Sequence, residues 1–232
     1  RINVENNFDA TADENFKVNT IRVEKDSNLY ANNNIDIDKI NTGEDLTVTS
    51  LADGDVNITE VYSENGSIGV TNENGNTTLT KINAGDDIHL KNNGVGDIII
   101  NDSITTRNNG SLYVNINDGK LDIKSGTIDG EASIYSGKGN IFLTKFNVND
   151  DLNVRAKDGN VIIYDDTNIG GNATLKSDTN SVGLGNAYVG EDLNISAQKL
   201  AYIEDAVVGG SMQMRGLDDA VEAHSLEVGK DL

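Results

Sequence analysis

Apolar and polar residues alternate along this chain in runs too short for helices, and the runs come in sets of three that recur about every twenty residues. The repeat is clearest in the second half: NGSLYV from Asn109, DGEASI from Asp129, NDDLNV from Asn149, GGNATL from Gly170, GEDLNI from Gly190, GGSMQM from Gly209 and GKDL from Gly229. Successive starts lie 20, 20, 21, 20, 19 and 20 residues apart. The first alternation of each period follows a Gly/Asn-rich corner, as in Leu112/Val114, Leu152/Val154 and Leu193/Ile195. The second comes some ten residues later, as in Ile98/Ile100, Ile141/Leu143, Val161/Ile163, Ala201/Ile203 and Val221/Ala223. The third is shorter and precedes the next corner, as in Phe146/Val148, Thr167/Ile169 and Ala206/Val208. A period of two sends alternate side chains to opposite faces of a strand, and no segment has the 3.6-residue spacing of a helix.

Three strand-like segments per period predict an all-β fold, a triangular parallel β-solenoid of about ten rungs. Equivalent residues then stack roughly 4.8 Å apart, which gives a rod on the order of 50 Å long. The whole chain reads as one solenoid segment, with regular rungs over 43–232 and irregular first rungs over 1–42. At the N-terminal end, Asn28–Ala31 fits a first alternation whose corner would lie only 17 residues before Gly43. Between Gly85 and Asn109 the step lengthens to 24 residues, and the extra ones are most simply placed around Asn92–Gly96.

Gly, Asn and Asp at the corners have a backbone explanation. A chain that turns three times per rung needs left-handed residues, and stacked Asn or Asp can bond the next rung's backbone. The absence of proline suits uninterrupted ladders, because every residue keeps its backbone donor. There is no cysteine for a disulfide or for thiol chemistry. The net charge of −20 argues against nucleic acid and against an anionic membrane surface. No apolar run approaches the length of a membrane span, and none resembles a signal peptide. A start at Arg1 and a stop inside the repeated phrase read as a piece of a longer polypeptide.

Acidic residues recur at corners: Glu44/Asp45, Asp86/Asp87, Asp150/Asp151 and Glu191/Asp192. They raise the question of calcium, but the G-G-x-G-x-D nonapeptide of calcium-binding β-helices is absent and the pairs skip rungs. Solvated negative surface is the reading, with no cofactor expected. Catalysis is not expected either. Arg occurs singly, His89 and His224 read as surface residues, and no nucleophile–base set is legible.

One departure from polarity stands out. The outward positions of the second face run Asp122, Phe142, Ile162, Gly183, Tyr202 and Glu222, so Phe142, Ile162 and Tyr202 form a candidate interaction patch. The alternative is an ordinary scatter of surface apolar residues, or one that a neighbouring segment covers.

The phrases VGEDLNISAQ (Val189–Gln198), GNVII (Gly159–Ile163) and GKGNIFL (Gly137–Leu143) resemble the repeats of filamentous-haemagglutinin-like exoproteins, the large adhesins and leukotoxin-type filaments of Gram-negative bacteria. The resemblance runs from about Gly43 onward. It implies a right-handed parallel β-helix, exported through an outer-membrane secretion partner and displayed at the cell surface. It further implies a shaft segment of an adhesin that contacts a host or bacterial surface protein or glycan. The family's secretion domain carries Asn-Pro motifs, and a chain without proline does not contain it. Two alternatives stay open: a polysaccharide-processing β-helix of the lyase or depolymerase kind, and the stalk of a contact-dependent toxin.

Overall fold

A computed structural model describes residues 1–231. Among these residues there is no helix, and every pairing between strands is parallel. The chain winds into a β-solenoid whose first face is a sheet of eleven strands, from Phe8–Ala12 to Met212–Gly216. That is one more turn than the rung spacing suggests, because the N-terminal segment contributes full turns.

The second and third faces share a 15-stranded sheet. In most turns the two alternations are one strand, as in Ile35–Thr42, bent where two consecutive residues, Asp38 and Lys39, both face solvent. In three turns the strand breaks, as between Ile141–Thr144 and Phe146–Val148 or between Val161–Tyr164 and Thr167–Ile169. The breaks hold left-handed residues, Lys145 (φ 48°) and Asp165 (φ 59°). The third corner is thus a slip in the alternation rather than a glycine turn.

The inward positions of all three alternations make one continuous core. Val148, Leu152, Val154, Val161, Ile163 and Ile169 are each no more than 2% exposed. Each stacks on its equivalent one turn away, Leu152 on Ala132 and Ala173, Val161 on Ile141 and Val182. The expected inward pair Val221/Ala223 departs from this. Both are exposed, Val221 by 50%, because each packs only on the turn before, against Ala201 and Ile203.

The N-terminal turns are in register at a shorter step. Ser27 pairs with Phe8 and Leu46, and the corner equivalent to Gly43 is Glu24, not a residue 17 back. The long turn also differs from expectation, since its extra residues are spread out. One is absorbed between Asn92 and Val95, one between Ile100 and Ser103, and the others at the corner Arg107–Asn109. By Ser111, whose N–H reaches Asp87 Oδ1, the offset is 24 residues. Asn108 and Asn109 take left-handed φ values of 51° and 64°, which Asn tolerates better than most residues.

Two kinds of side-chain ladder close the corners. Outside, each Asx oxygen accepts the next turn's backbone N–H. Asn34 serves Asp55, Asp55 serves Asn76, and Asn76 serves Asp97, at 2.8, 2.8 and 3.0 Å. Inside the same corner, buried Asn92 donates from Nδ2 to the carbonyls of Gly75 (2.8 Å) and Gly96 (2.9 Å), and Ser177 Oγ donates to Gly159 O (2.6 Å). The glycines there must be bare. A Cβ on Gly119 would come 2.0 Å from Gly96 O, and Gly96 itself has φ +149°. Buried backbone acceptors need partners, so this polar column satisfies what a purely apolar corner would leave orphaned.

Candidate functional site

The strand register stacks Asp122, Phe142, Ile162, Gly183, Tyr202 and Glu222 in one outward column of the second face. Phe142 and Ile162 are therefore neighbours in adjacent turns, while Tyr202 is separated from Ile162 by the bare backbone of Gly183. All three are half-buried by their neighbours along the column, and no segment of the described chain lies over them.

Tyr164 is a fourth member of the patch, beyond the three that the outward column of the sequence picks out. It is outward, two residues beyond Ile162 on the same strand, and its ring stacks on Phe142 with centroids 6.3 Å apart and planes 17° from parallel. Its 47% exposure makes it the most accessible ring of the group. Period two places it there, at the second outward position of its strand.

Beyond Ile162 and Tyr164, the first two outward positions of the next strand, Val182–Val189, are glycine, Gly183 and Gly185, before Asn186 and Tyr188 turn outward past the bend. The result is a slot of about 480 Å³, floored by Gly183, Leu184 and Gly185. Ile162, Tyr164 and Asp165 wall it on one side, Tyr202 and Glu204 on the other. The wall strands are two turns apart, roughly 10 Å between backbones.

The far wall is a hydrogen-bonded cluster. The Tyr202 hydroxyl donates to Glu204 Oε2, and His224 Nδ1 lies 3.2 Å from Glu204 Oε1. The rings of Tyr202 and His224 meet edge to face at 5.5 Å. The Tyr202 hydroxyl, and then His224, hold the Glu204 carboxyl below the usual carboxylate range. The same bond to Glu204 pushes the Tyr202 phenol up. At neutral pH the wall thus presents a neutral phenol and a charged carboxylate. His224 was expected to be an isolated surface residue beside a corner. It is exposed, but it lies within the strand Val221–Val228 and engages this cluster.

The other singled-out residues stay apart from the slot. His89 lies on the first face, stacked on Tyr113 at 4.9 Å, and the Tyr113 hydroxyl donates to Glu131 Oε1 at 3.0 Å. The corner aspartates serve the backbone. Asp45, Asp87, Asp151 and Asp192 each accept a backbone N–H through Oδ1, from Ser67, Ser111, Asn172 and Ser211 at 2.7–2.8 Å. Among the described residues, no three acidic or histidine side chains converge as a metal cage.

Chemically, the slot offers aromatic faces, an apolar floor and carboxylates at its mouth. That combination suits a group with a flat or aliphatic body and a positive or hydroxylated end. No protein-family model, curated protein or solved structure gives a significant match to the chain.

Proposed function

We propose that this chain is a shaft segment of a secreted, filamentous bacterial surface adhesin, which spaces the filament and contacts a host or neighbouring cell through its second face. One observation carries the reading: among the described residues, eleven turns bond to one another in a parallel ladder, and no inserted loop stands off to build a cleft. A protein of this kind gains length by repetition, because each turn contacts only its neighbours. The aromatic slot is where contact with another surface is concentrated, since exposed apolar patches of this kind commonly mark interaction sites. The −20 charge keeps parallel shafts apart in solution. Export through an outer-membrane partner and display at the cell surface belong to the same reading, and rest on the resemblance of the repeats.

Beads coated with the chain should adhere to cells, and beads coated with a Tyr164→Ala/Tyr202→Ala double variant should adhere less. Equal adhesion by the two would overturn the assignment of contact to this face.

The second reading, polysaccharide processing, draws support from the Tyr202–Glu204–His224 cluster at the edge of a groove. Release of new reducing ends from acidic polysaccharides, lost in Glu204→Gln, would favour it over the shaft.

A further inference from the structure

We infer that the slot between Tyr164 and Tyr202 takes a cationic side chain, Lys or Arg, presented by a basic polypeptide segment of the contacted surface. The inference deepens the adhesive reading and rests on it for its biological setting.

Shape is the first argument. Large outward side chains line the column on both sides of Gly183, and the two outward positions that its strand gives to the second face, Gly183 and Gly185, are bare. The gap is the side chains missing from the second face of one turn. It is long and narrow enough for the stem and head of one extended side chain, and too shallow to bury a folded surface.

Charge is the second. The residues lining the slot include Asp165 and Glu204 and no Lys or Arg. Asp166 and Asp205 flank them at the bend, and Glu222 follows Tyr202 in the column. A phosphate, sulfate or uronate group would be repelled at close range. A cation gains from the carboxylates and from the faces of Tyr164 and Tyr202, an arrangement that favours guanidinium and ammonium groups. The Tyr202 hydroxyl and His224 fix the Glu204 carboxylate in place, so little is lost in ordering it on binding. A neutral saccharide could stack on the rings, but it would draw no advantage from this ring of negative charge.

Gly183 makes the test clean. A Cβ there would meet only Ile162, at 3.4 Å from Cδ1 and 4.0 Å from Cγ2, which is ordinary contact. Gly183→Leu therefore fills the slot without changing charge or straining the backbone. Gly69→Leu is the matching control on the first face, where a Cβ would lie 3.7 Å from Leu46 O.

A blocked, fluorescently labelled tetra-arginine peptide is titrated at physiological salt, with a neutral oligosaccharide of similar length as the comparison ligand. Gly183→Leu should weaken peptide binding at least tenfold, Glu204→Gln and Tyr164→Ala several-fold, and Gly69→Leu not at all. Equal peptide binding by Gly183→Leu and the unchanged chain would mean that net charge alone attracts it, and would overturn the proposal. So would slot-dependent binding of the oligosaccharide with none of the peptide. The bead assay separates the two levels. Peptide binding without adhesion leaves the slot standing and removes the adhesive reading. Adhesion that survives Gly183→Leu removes the slot as the contact and leaves the adhesive reading.

Discussion

The buried ring of Phe146 occupies the space that a side chain on Gly126, one turn below, would need. The two are register partners, and a Cβ on Gly126 would come within 2.3 Å of Phe146 Cδ2 and Cε2. Phe146 is the largest fully buried side chain of the core, and the solenoid admits it only because the preceding turn gives way. At this point in the stack a small residue makes room for a large one, where two large residues would clash.

Gly126→Ala should therefore destabilise the fold by about 1–3 kcal/mol through overpacking. Gly126→Ala combined with Phe146→Leu should cost clearly less than the sum of the two single changes, because they share one space. Urea midpoints of the four proteins measure the coupling. Simple additivity would show that the ring moves aside freely.

The inward positions were readable from sequence because a buried strand announces itself by period two, and Leu152 or Val161 needs nothing else. The Asx ladder was readable for a similar reason, since Asn and Asp at every corner have a backbone use. Gly183 was not, although it stood in the outward column beside Ile162 and Tyr202. What matters there is a missing side chain, which no scan for apolar or charged residues registers. Tyr164 and the Glu204–His224 contact needed the second outward position of each strand aligned across turns, and one extra residue within Tyr164-Asp165-Asp166 breaks the period-two pattern beside Tyr164. Only one of the extra residues of the long turn lies where expected, between Asn92 and Val95, because a single step of 24 says how many, not where.

The corner carboxylates lead to a prediction that separates backbone support from metal binding. Asp151 Oδ1 accepts the Asn172 backbone N–H at 2.7 Å and its Nδ2 at 3.1 Å. An amide oxygen can do the same, and Asn172 in turn accepts from Asp192 N at 3.1 Å. Asp151→Asn should leave the melting temperature unchanged or raise it slightly by removing one of many like charges. Asp151→Ala should cost about 1 kcal/mol for the lost acceptor. Chelator should shift none of the three proteins. A drop on chelation that Asp151→Asn abolishes would make the corner a cation site instead.

Acid should weaken one ion pair in a defined window. Arg155 Nε donates to Asp178 Oδ2 at 3.1 Å, and this bond holds the Asp178 carboxyl below the usual carboxylate range. A carboxyl depressed in the folded state adds stability that is complete above its unfolded pKa and disappears as pH falls through the folded one. The stability difference between the unchanged chain and Asp178→Asn should be constant above about pH 5 and shrink below about pH 4. It should stay below about 1 kcal/mol, because Arg155 is half exposed and water screens the pair. Chemical denaturation at a series of pH values tests this, and a difference that grows on acidification would reverse the sign.

Arg107 ties the long corner to the turns before it. Arg107 Nη2 donates to Ser63 O and Glu64 O, both at 2.9 Å, and Nε reaches Ala84 O at 3.4 Å. The guanidinium also lies over the Tyr62 ring, 5.3 Å from its centroid. One residue thereby ties the inserted corner to carbonyls 43 and 44 positions earlier, across two turns. A planar fork on a long stem can do this, whereas an ammonium is a single point and cannot span three carbonyls. Hydrogen bonds from a charged donor contribute about 1.5–3 kcal/mol when their loss strands an acceptor, and less where water can replace them. These carbonyls are partly wet, so Arg107→Ala should cost about 1–2 kcal/mol globally. The local effect should be larger. The turn closed by the Gly110 N–H on Arg107 O at 2.8 Å contains the left-handed pair Asn108 and Asn109, and it should open more often without its tether. Amide exchange at Gly110 should accelerate in Arg107→Ala and, to a lesser degree, in Arg107→Lys, while exchange at Leu152 and Val161 in the core stays slow. Unchanged exchange at Gly110 in Arg107→Ala would mean that the corner holds its shape without Arg107, through its own backbone and the Thr106, Asn108 and Asp129 side chains.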